Sequence, residues 1–461
     1  MTIKSVLVAN RGEIAVRIVR AAKALGIRTV QVHSAADADM LAVRIADEAV
    51  NIGSPAPKKS YLNIEAIIAA AKSAGVDAVH PGYGFLSENG EFADAVVAAG
   101  MIFIGPSGDA IRLLGDKVAA RQVAAKAGVP TVPGSDGRVS DISEARAIVA
   151  RTGFPMMIKA AAGGGGRGIR IVHSLAELEQ QFPLAAAEAA AAFGDGGLYL
   201  EKVITRARHV EVQIFGDGKN FVHCFERECS LQRRRQKIWE EAQAFLLPAQ
   251  VRERLCSSAV ALAREVKYRG AGTVEYLYDD ETQEFYFIEV NTRIQVEHPV
   301  TEMITGLDLV EEMFKVASGS PLSVTQADIK PRGHAIECRI NAEDPYKNFM
   351  PSPGTITKLH VPSGEGIRFD TMLFEGYTIP PFYDSLLGKL IVWAKTRDAC
   401  LEKLTTALRA LQIEGVPTTI PLHLALASDE SVKRGEFHTR FLETWLETEF
   451  AALGSVTAEV A

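Results

Sequence analysis

The N-terminal part of the chain alternates short apolar runs with amphipathic segments, and this alternation limits the fold more than any other feature. Residues 5–9 and 29–33 have the length and composition of buried strands, and residues 13–25 between them have apolar side chains at helical spacing. A strand, a helix and a second strand of these lengths form a right-handed crossover between parallel strands. The pattern recurs up to residue 104, so we predict an open parallel α/β domain over residues 1–114.

A turn-rich segment at residues 129–137 indicates a boundary. A small subdomain is predicted over residues 134–203, within a larger domain at 115–330. The predicted elements of the subdomain are a strand at 156–160, an alanine-rich helix at 184–193 and a strand at 198–202.

Strands dominate from residue 210 onward. We predict strands at 210–215, 273–278 and 285–290, and a helix at 249–266. A final β-rich unit at 331–446 is expected to end in helices near 397–411 and 439–448. Residues 455–461 are small and polar, and a flexible tail is predicted over 447–461. The whole chain is expected to be a multidomain protein of the α/β and α+β classes.

Composition argues against several classes of function. Lys and Arg number 50 against 57 Asp and Glu, a formal net charge of −7, which disfavours a nucleic-acid coat. No apolar run approaches the roughly 20 residues that span a bilayer, and no signal peptide is expected. The five cysteines form no C-x-x-C pair, which disfavours a disulfide framework or a structural zinc site. We expect a cytoplasmic protein that binds neither membrane nor nucleic acid.

Four consecutive glycines, Gly163, Gly164, Gly165 and Gly166, follow the predicted strand that carries Lys159. Without Cβ atoms, such a run allows several backbone N–H groups to converge on phosphate oxygens, and a lysine supplies a point charge for the same oxygens. No Gly-Lys-Ser/Thr follows, so the run is not a P-loop. It predicts either a phosphate-binding loop or a mobile surface loop.

Two glutamates, Glu275 and Glu289, lie in apolar runs that are joined by a turn at residues 279–283. If these runs pair as a hairpin, both carboxylates lie close together on one face. With Asn291 they offer the hard oxygen ligands that Mg²⁺ or Mn²⁺ prefers. The alternative is that each glutamate points to solvent from a half-buried strand.

The residues that follow the second strand alternate in polarity. Asn291, Arg293, Gln295 and Glu297 share one parity. In an extended conformation these side chains face the same way, which creates an anion pocket with its own base. An exposed polar strand face is the alternative.

Several motifs resemble the biotin carboxylase family over residues 3–446. They lie at 8–14, 80–89, 115–117, 163–168, 208–211, 268–273, 287–302 and 334–344. The resemblance implies an ATP-grasp fold with an N-terminal α/β domain, a mobile lid and a C-terminal β-rich domain. It also implies ATP- and bicarbonate-dependent carboxylation of biotin through carboxyphosphate. The alternatives are another ATP-grasp ligase acting on a different carboxylate, and a non-catalytic ATP-binding paralogue.

The resemblance assigns roles to individual residues. It implies that ATP is bound by Lys117, Lys159, Gly163, Gly164, Gly165, Gly166, Glu201, Lys202, Ile204, His209, Gln232 and Leu277, and Mg²⁺ or Mn²⁺ by Glu275, Glu289 and Asn291. It implies that bicarbonate and biotin are bound by Lys237, Arg293, Gln295, Val296, Arg339, Tyr83 and Gly84. Glu297 would remove the proton of bicarbonate and Arg339 would stabilise the biotin enolate, with Arg293 and Lys237 as further catalytic residues.

The same resemblance implies partners. The tetrapeptide Ala-Met-Lys-Met, typical of biotin carrier domains, is absent from the sequence. We therefore expect a separate biotin carboxyl carrier protein and separate carboxyltransferase subunits, as in an acetyl-CoA carboxylase of fatty acid biosynthesis. A homodimer is also implied, with Arg17, Arg20 and Arg368 near its interface. Arg235 and residues 243–245 depart from the usual residues of the family.

Overall fold

A five-stranded parallel sheet forms the N-terminal unit of the protein. The computed structural model describes residues 2–160, 169–193 and 196–452 of the whole chain. Its elements are β1 (Ser5–Val8), α1 (Gly12–Ala24), β2 (Arg28–Ser34), α2 (Leu41–Ile45), β3 (Glu48–Gly53), α3 (Ile64–Ala74), β4 (Ala78–His80), α4 (Gly90–Ala98), β5 (Ile102–Phe103) and α5 (Gly108–Gly115). The strand order is β3-β2-β1-β4-β5, and every neighbouring pair is parallel. All four residues of β1 are buried, as expected for a strand covered on both faces. The predicted parallel α/β arrangement is confirmed.

A small three-stranded antiparallel sheet follows, in the order β7-β6-β8. The elements here are α6 (Lys117–Lys126), α7 (Ile142–Thr152), β6 (Met156–Ala160), β7 (Arg170–Val172), α8 (Leu175–Phe193) and β8 (Leu198–Lys202). Both predicted strands have the expected bounds. The predicted helix begins nine residues earlier than expected, at Leu175, and continues through Pro183. Leu178 and Phe182 are buried in the core of this unit, so packing outweighs the hydrogen bond lost at the proline.

An eight-stranded antiparallel sheet forms the centre of the molecule. Its first part contains β9 (Ala207–Asp217), β10 (Phe221–Arg233), β11 (Gln236–Ala242), α9 (Ala249–Glu265), β12 (Arg269–Asp279), β13 (Glu284–Asn291), α10 (His298–Thr305) and α11 (Leu309–Ala317). With β14 (His334–Asn341), β18 (Ile367–Thr371) and β19 (Leu386–Ala394), the strand order is β13-β12-β9-β10-β11-β14-β19-β18. The three predicted strands and the predicted helix are present with slightly longer or shifted bounds. Because β11 pairs with β14, residues on both sides of the expected boundary near 330 belong to one sheet.

The C-terminal part completes this sheet and covers one end of it with helices. Its elements are β14 (His334–Asn341), β15 (Glu343–Asp344), β16 (Met350–Pro351), β17 (Lys358–His360), β18 (Ile367–Thr371), β19 (Leu386–Ala394), α12 (Arg397–Ala410), β20 (Gln412–Glu414), α13 (Ile420–Ser428), α14 (Glu430–Lys433) and α15 (Phe441–Trp445). Apolar side chains of β14 and β19 pack against α12 and α13 in one core. No helix of the described ranges is long and apolar enough to cross a membrane.

The chain stays ordered beyond the predicted last helix. A π-helical turn at Leu446–Phe450 continues directly from α15. Phe450 is buried and stacks on Tyr346, with ring centroids 5.1 Å apart. The prediction of a flexible tail from residue 447 is therefore wrong for its first residues, because an aromatic contact anchors them. Residues 453–461 lie outside the described ranges.

Candidate active site

Lys237 lies at the centre of a buried cluster of carboxylates. Its ammonium group is 2.5 Å from Glu211, 2.9 Å from Glu275 and 2.7 Å from Glu297. These acids come from β9, β12 and the turn before α10, so the antiparallel sheet brings distant parts of the chain to one cation. Burial alone lowers the pKa of a lysine, but the three carboxylates outweigh it and raise the pKa of Lys237 well above its ordinary value. Lys237 is therefore charged although its side chain is only 12% exposed.

Glu275 and Glu289 face each other across the β12–β13 hairpin, as predicted. Burial and the charge of Glu275 raise the pKa of Glu289. Burial also acts to raise the pKa of Glu275, but Lys237 and His209 outweigh it and hold that pKa well below the ordinary value. Two close carboxylates, one of them destabilised as an anion by the other, fit a divalent cation, which relieves that repulsion.

Asn291 contributes less directly to this pair. Its amide nitrogen donates to Glu275 at 2.9 Å, and its amide oxygen accepts from Arg293 at 2.8 Å. Both halves of the amide are thus engaged within the protein, so the two glutamates carry the metal assignment. Asn291 orients Glu275 in the arrangement described here.

His209, Glu211 and Glu275 also lie within the distance that metal ligands keep from one another. Burial lowers the pKa of His209, but Glu275, 3.2 Å away, more than compensates and the pKa rises to about 9. A protonated imidazole has no lone pair for a metal. Glu211 is already bound by Lys237 and by Arg227, at 2.5 and 2.6 Å. These three groups therefore form an ion-pair network.

The predicted extended conformation of residues 291–297 is wrong. β13 ends at Asn291, the chain bends at Arg293, and a turn at residues 296–297 leads into α10. Pro299 in the first turn of α10 favours a helix start, which prevents the strand from continuing. The side chains nevertheless converge, because the bend returns them to the carboxylate cluster; Gln295 donates to Glu275 at 3.0 Å.

Arg293 is held by the N-terminal unit. Its Nε donates to Glu88 at 2.9 Å, and the backbone N–H of Thr292 donates to the other oxygen of Glu88 at 3.1 Å. Glu88 lies between β4 and α4, so a loop of the parallel sheet closes this side of the site. Its Nη2 donates to Asn291 at 2.8 Å, so the guanidinium lies beside the Glu275–Asn291 pair.

Arg339 on β14 approaches the cluster from the opposite side. Its Nε donates to Glu240 at 2.5 Å and its Nη2 to Glu297 at 3.0 Å. Burial raises the pKa of Glu297, but the Lys237 and Arg339 cations contribute to lowering it below the ordinary value. Glu297 is therefore a buried carboxylate between two cations, ionised and able to accept a proton.

Three further substrate-binding predictions lie near Arg339. The carbonyl oxygen of Val296 accepts from Lys389 at 2.8 Å. The Tyr83 hydroxyl donates to Glu13, and Gly84 is exposed at the end of the same loop, with a φ of +68° that favours glycine. Burial raises the pKa of Tyr83 and the charge of Arg339 acts to lower it, so the loop after β4 reaches the side of the cleft where Arg339 lies.

The described ATP-binding predictions are divided between the two antiparallel sheets. Lys159 and Glu201 form an ion pair in the small sheet, on β6 and β8, and Lys202 and Ile204 lie at the end of β8. His209, Gln232 and Leu277 lie on the central sheet, where Leu277 pairs with His209 in the register. Lys117 is exposed at the start of α6, and its charge acts to lower the pKa of Glu289. Gly163, Gly164, Gly165 and Gly166 lie outside the described residues.

Sequence reasoning missed Arg227, which is completely buried on β10. All five of its N–H donors are used, by Glu211, Gln213, Thr301, Thr273 and Gln295. The only signal in the sequence was three consecutive charged residues, Glu226, Arg227 and Glu228, in a run that otherwise reads as a strand. Arg227 fixes both Glu211 and Gln295 from beneath the cleft.

A two-sheet arrangement, with a small subdomain before a sheet that carries facing carboxylates, defines the class of ATP-grasp enzymes. Family models cover nearly the whole chain. The biotin carboxylase N-terminal domain matches residues 2–111, the ATP-binding domain of the carbamoyl-phosphate synthase L chain matches 116–325, and the biotin carboxylase C-terminal domain matches 337–444.

Individual relatives agree with these matches. Biotin carboxylase 1 of Bacillus subtilis is 52% identical over 444 residues, covering 96% of this chain and 99% of that protein. Biotin carboxylase of Haemophilus influenzae is 53% identical over 443 residues, covering 96% and 98%. The solved beta-gamma-ATP complex of Campylobacter jejuni biotin carboxylase has a TM-score of 0.88 at 47% identity, covering 96% and 99%. The chain belongs to the biotin carboxylase family, whose members carboxylate biotin with ATP and bicarbonate.

Proposed function

We propose that this chain carboxylates biotin on a separate carrier protein and that Glu297 is the base of the reaction. The position of Glu297 carries the proposal. Its buried carboxylate lies between Lys237 and Arg339. Lys237 is on the side of Glu275 and Glu289, and Arg339 is on the side of the loop after β4 that carries Tyr83. A single base between two cations can serve an anionic substrate on one side while a second substrate binds on the other.

The first step takes place on the Lys237 side. Bicarbonate binds to Lys237, Arg293 and Gln295 and to the backbone at Val296, since cationic and amide donors suit a planar oxyanion. Glu297 accepts the proton of bicarbonate as a bicarbonate oxygen attacks the γ-phosphate of ATP. The bond between the γ-phosphorus and the β–γ bridging oxygen breaks, ADP leaves, and carboxyphosphate is formed. The low pKa of Glu297 keeps it ionised and ready for this transfer at neutral pH.

ATP is proposed to bind between the small sheet and the central sheet. Lys159, Glu201 and Lys202 lie on the first of these, and His209 on the second. Glu275 and Glu289 would hold Mg²⁺, which offsets phosphate charge during phosphoryl transfer when it is bound. Protonated His209 and Lys237 add positive charge from the protein itself.

The second step takes place on the Arg339 side. Carboxyphosphate decomposes to CO₂ and phosphate, and the phosphate removes the proton from N1′ of biotin. N1′ then attacks CO₂ and forms the N–C bond of carboxybiotin, and the protonated phosphate leaves. Arg339 donates to the ureido oxygen and stabilises the negative charge that develops there. Its Nε and Nη2 are engaged by Glu240 and Glu297, so Nη1 is the nitrogen left for the substrate.

The proposed domains are 1–114, 115–330 with a lid subdomain at 134–203, and 331–446. The protein is proposed to act in the cytoplasm with a biotin carboxyl carrier protein and carboxyltransferase subunits. The five cysteines are free and buried, which is consistent with a reducing compartment. A relative that is 49% identical over 441 residues is one of the subunits of pyruvate carboxylase in Methanothermobacter thermautotrophicus, which supports a role as one component of a larger carboxylase.

A homodimer is proposed through the surface around α1 and β18. A cavity of about 240 Å³ there is lined by Arg17, Arg20 and Arg368, among other residues. Arg17 binds Glu302 and Asp308, and Arg368 also binds Glu302, so these two arginines are held in place. The biotin carboxylase domain of Hydrogenobacter thermophilus 2-oxoglutarate carboxylase, which is 48% identical with a TM-score of 0.87, was solved as a dimer.

Two measurements test the proposed function. ATP hydrolysis should require bicarbonate and increase with free biotin, and labelled bicarbonate should appear in carboxybiotin. The variant Glu297→Gln tests the proposed base in the same assays. Its matched control is Glu414→Gln, on an exposed residue of β20. ATP hydrolysis that is indifferent to bicarbonate and biotin favours a ligase for another carboxylate. Tight ATP binding without carboxylation, even with a carrier protein, favours a non-catalytic paralogue.

A further inference from the structure

A second pair of acids lies behind Arg339, on the two strands that join the central and C-terminal parts of the sheet. Glu240 on β11 and Glu337 on β14 are directly opposite each other in the register. Both are 0% exposed. The Cβ atoms of such a pair are about 5 Å apart. Two ionised carboxylates at that distance, away from water, repel each other strongly.

The cations near this pair do not balance it. Arg339 bonds Glu240 but is shared with Glu297. Lys389 is buried on β19 next to Arg339, and its ammonium group is engaged by other partners, the Glu13 carboxylate at 3.1 Å and a backbone carbonyl at 2.8 Å. Lys237, on the same strand as Glu240, already serves three other carboxylates. Negative charge is therefore in excess here.

Buried carboxylate oxygens without a hydrogen-bond partner indicate where a proton is bound. Oε2 of Glu240 and both carboxylate oxygens of Glu337 are buried and accept no hydrogen bond from any described residue. An ionised carboxylate in that state is far more costly than a protonated one. His298 lies on the side of α10 that packs on these strands. It supplies no positive charge, because burial holds its pKa well below the ordinary value.

We propose that Glu240 and Glu337 share one proton and that this acid pair positions Arg339 for biotin. A proton on Glu337 converts one of its oxygens into a donor toward the free oxygen of Glu240. Glu240 remains a carboxylate and holds Nε of Arg339. Two of the three unsatisfied oxygens, one on each acid, gain a partner, and the pair carries one negative charge, which Arg339 offsets. Burial raises the pKa of Glu240 to about 7 and that of Glu337 well above its ordinary value, in the same direction.

The shared proton determines how Arg339 is held. With one proton, Arg339 is anchored at Nε by Glu240 and at Nη2 by Glu297, which leaves Nη1 for the substrate. With no proton, a further negative charge opposes the stabilisation of an enolate. With two protons, the anchor at Nε weakens and the guanidinium turns toward Glu297. Glu240 and Glu337 are thus positioning residues, and their functional effect rests on the proposed role of Arg339.

Infrared spectroscopy tests the proton without reference to biotin. The wild-type protein, labelled with ¹³C-glutamate, is compared with unlabelled protein and with Glu337→Gln at neutral pH. The carbonyl stretch of a protonated carboxyl should be present in the wild type, shift with the label and disappear in Glu337→Gln. Absence of a label-sensitive carboxylic acid band in the wild type, or its survival unchanged in Glu337→Gln, overturns the proposal.

Kinetics test the positioning. Glu240→Gln should lower kcat/KM for biotin by about 10-fold to 100-fold, because a neutral amide replaces the charged acceptor of Arg339, and leave the KM for ATP nearly unchanged. Glu337→Gln should lose less, because an amide replaces a group that is already neutral. Equal losses in the two variants, or a parallel loss in ATP affinity, overturn the proposal. Thermal melting with Glu414→Gln as the control checks folding. An Arg339→Ala variant with normal biotin kinetics refutes the role of Arg339 separately from the infrared result.

Discussion

Arg227→Met offers the most direct test of how the sheet supports the bicarbonate side of the site. The substitution retains a long unbranched side chain and removes every N–H donor. Glu211 and Gln295 then lose bonds of 2.6 and 2.7 Å, and three further polar groups lose one bond each. Glu211 keeps Lys237 as a counter-ion at 2.5 Å, so its charge is not left alone.

The expected loss in stability follows from these contacts. Removing one partner of a buried ion pair costs about 3–5 kcal/mol. Two effects reduce this cost: Glu211 keeps one counter-ion, and a guanidinium no longer has to be buried. The loss of four hydrogen bonds to neutral groups, each contributing about 1 kcal/mol, increases it. We expect a decrease of about 3–5 kcal/mol in the free energy of unfolding. Arg254→Met, on a half-exposed arginine of α9, should change it by no more than about 0.5 kcal/mol.

Urea titration followed by circular dichroism measures the change in stability, and steady-state kinetics measures its effect on the site. Gln295 loses the donor to its amide oxygen and keeps only the bond from its amide nitrogen to Glu275, so it is held less firmly. The KM for bicarbonate should therefore rise about 10-fold, with the KM for ATP little changed. Arg227→Lys keeps a charge beside Glu211 and should lose less stability while still raising the KM for bicarbonate. A Met variant as stable as the wild type, or equal losses for ATP and bicarbonate, would refute the reasoning.

Three further outcomes are expected. Arg339→Ala should lower biotin carboxylation far more than ATP binding, as measured by carboxybiotin formation and nucleotide titration; equal losses contradict a role on the biotin side. Glu297→Gln should lower bicarbonate-dependent ATP cleavage by about 10²-fold to 10⁴-fold with nucleotide affinity nearly intact, and normal turnover would exclude Glu297 as the base. Burial raises the pKa of Glu241, but Arg397 and His334, at 2.7 and 2.8 Å, outweigh it and lower that pKa below the ordinary 4.5. A lowered pKa in the folded state stabilises the protein above the unfolded pKa, and this contribution is lost as pH falls through the folded value. The difference in unfolding free energy between wild type and Glu241→Gln should therefore be largest near neutral pH and shrink below about pH 4.5; a difference independent of pH, measured by urea titration, contradicts this.

Local patterns predicted much of the fold and part of the site. The strand Met156–Ala160 and the facing of Glu275 and Glu289 followed from runs of residues that are close in sequence. The extended conformation of residues 291–297 was wrong, because the helix that starts after Glu297 bends the chain. The convergence of these side chains was nevertheless anticipated, since a bend and a strand can both direct alternate polar residues into one cleft.

Contacts between distant segments could not be predicted in this way. Nothing in the run around Lys237 indicates that one ammonium group meets acids from three other segments. The same holds for Arg227, whose partners span β9 to α10, and for the register that places Glu240 opposite Glu337. The spacing of residues in the sequence specifies which of them share a face of one strand. It does not specify which other strand lies beside that strand.

The sequence by itself determined the types of secondary structure, the hairpin that pairs two acids and the set of polar residues suited to phosphate and bicarbonate chemistry. Only the tertiary structure decided which of these groups are charged and what holds them. The reason is physical: a pKa depends on burial and on neighbouring charges, and both are set by the packing of strands far apart in the chain. Lys237 and Glu297 owe their ionised states to that packing.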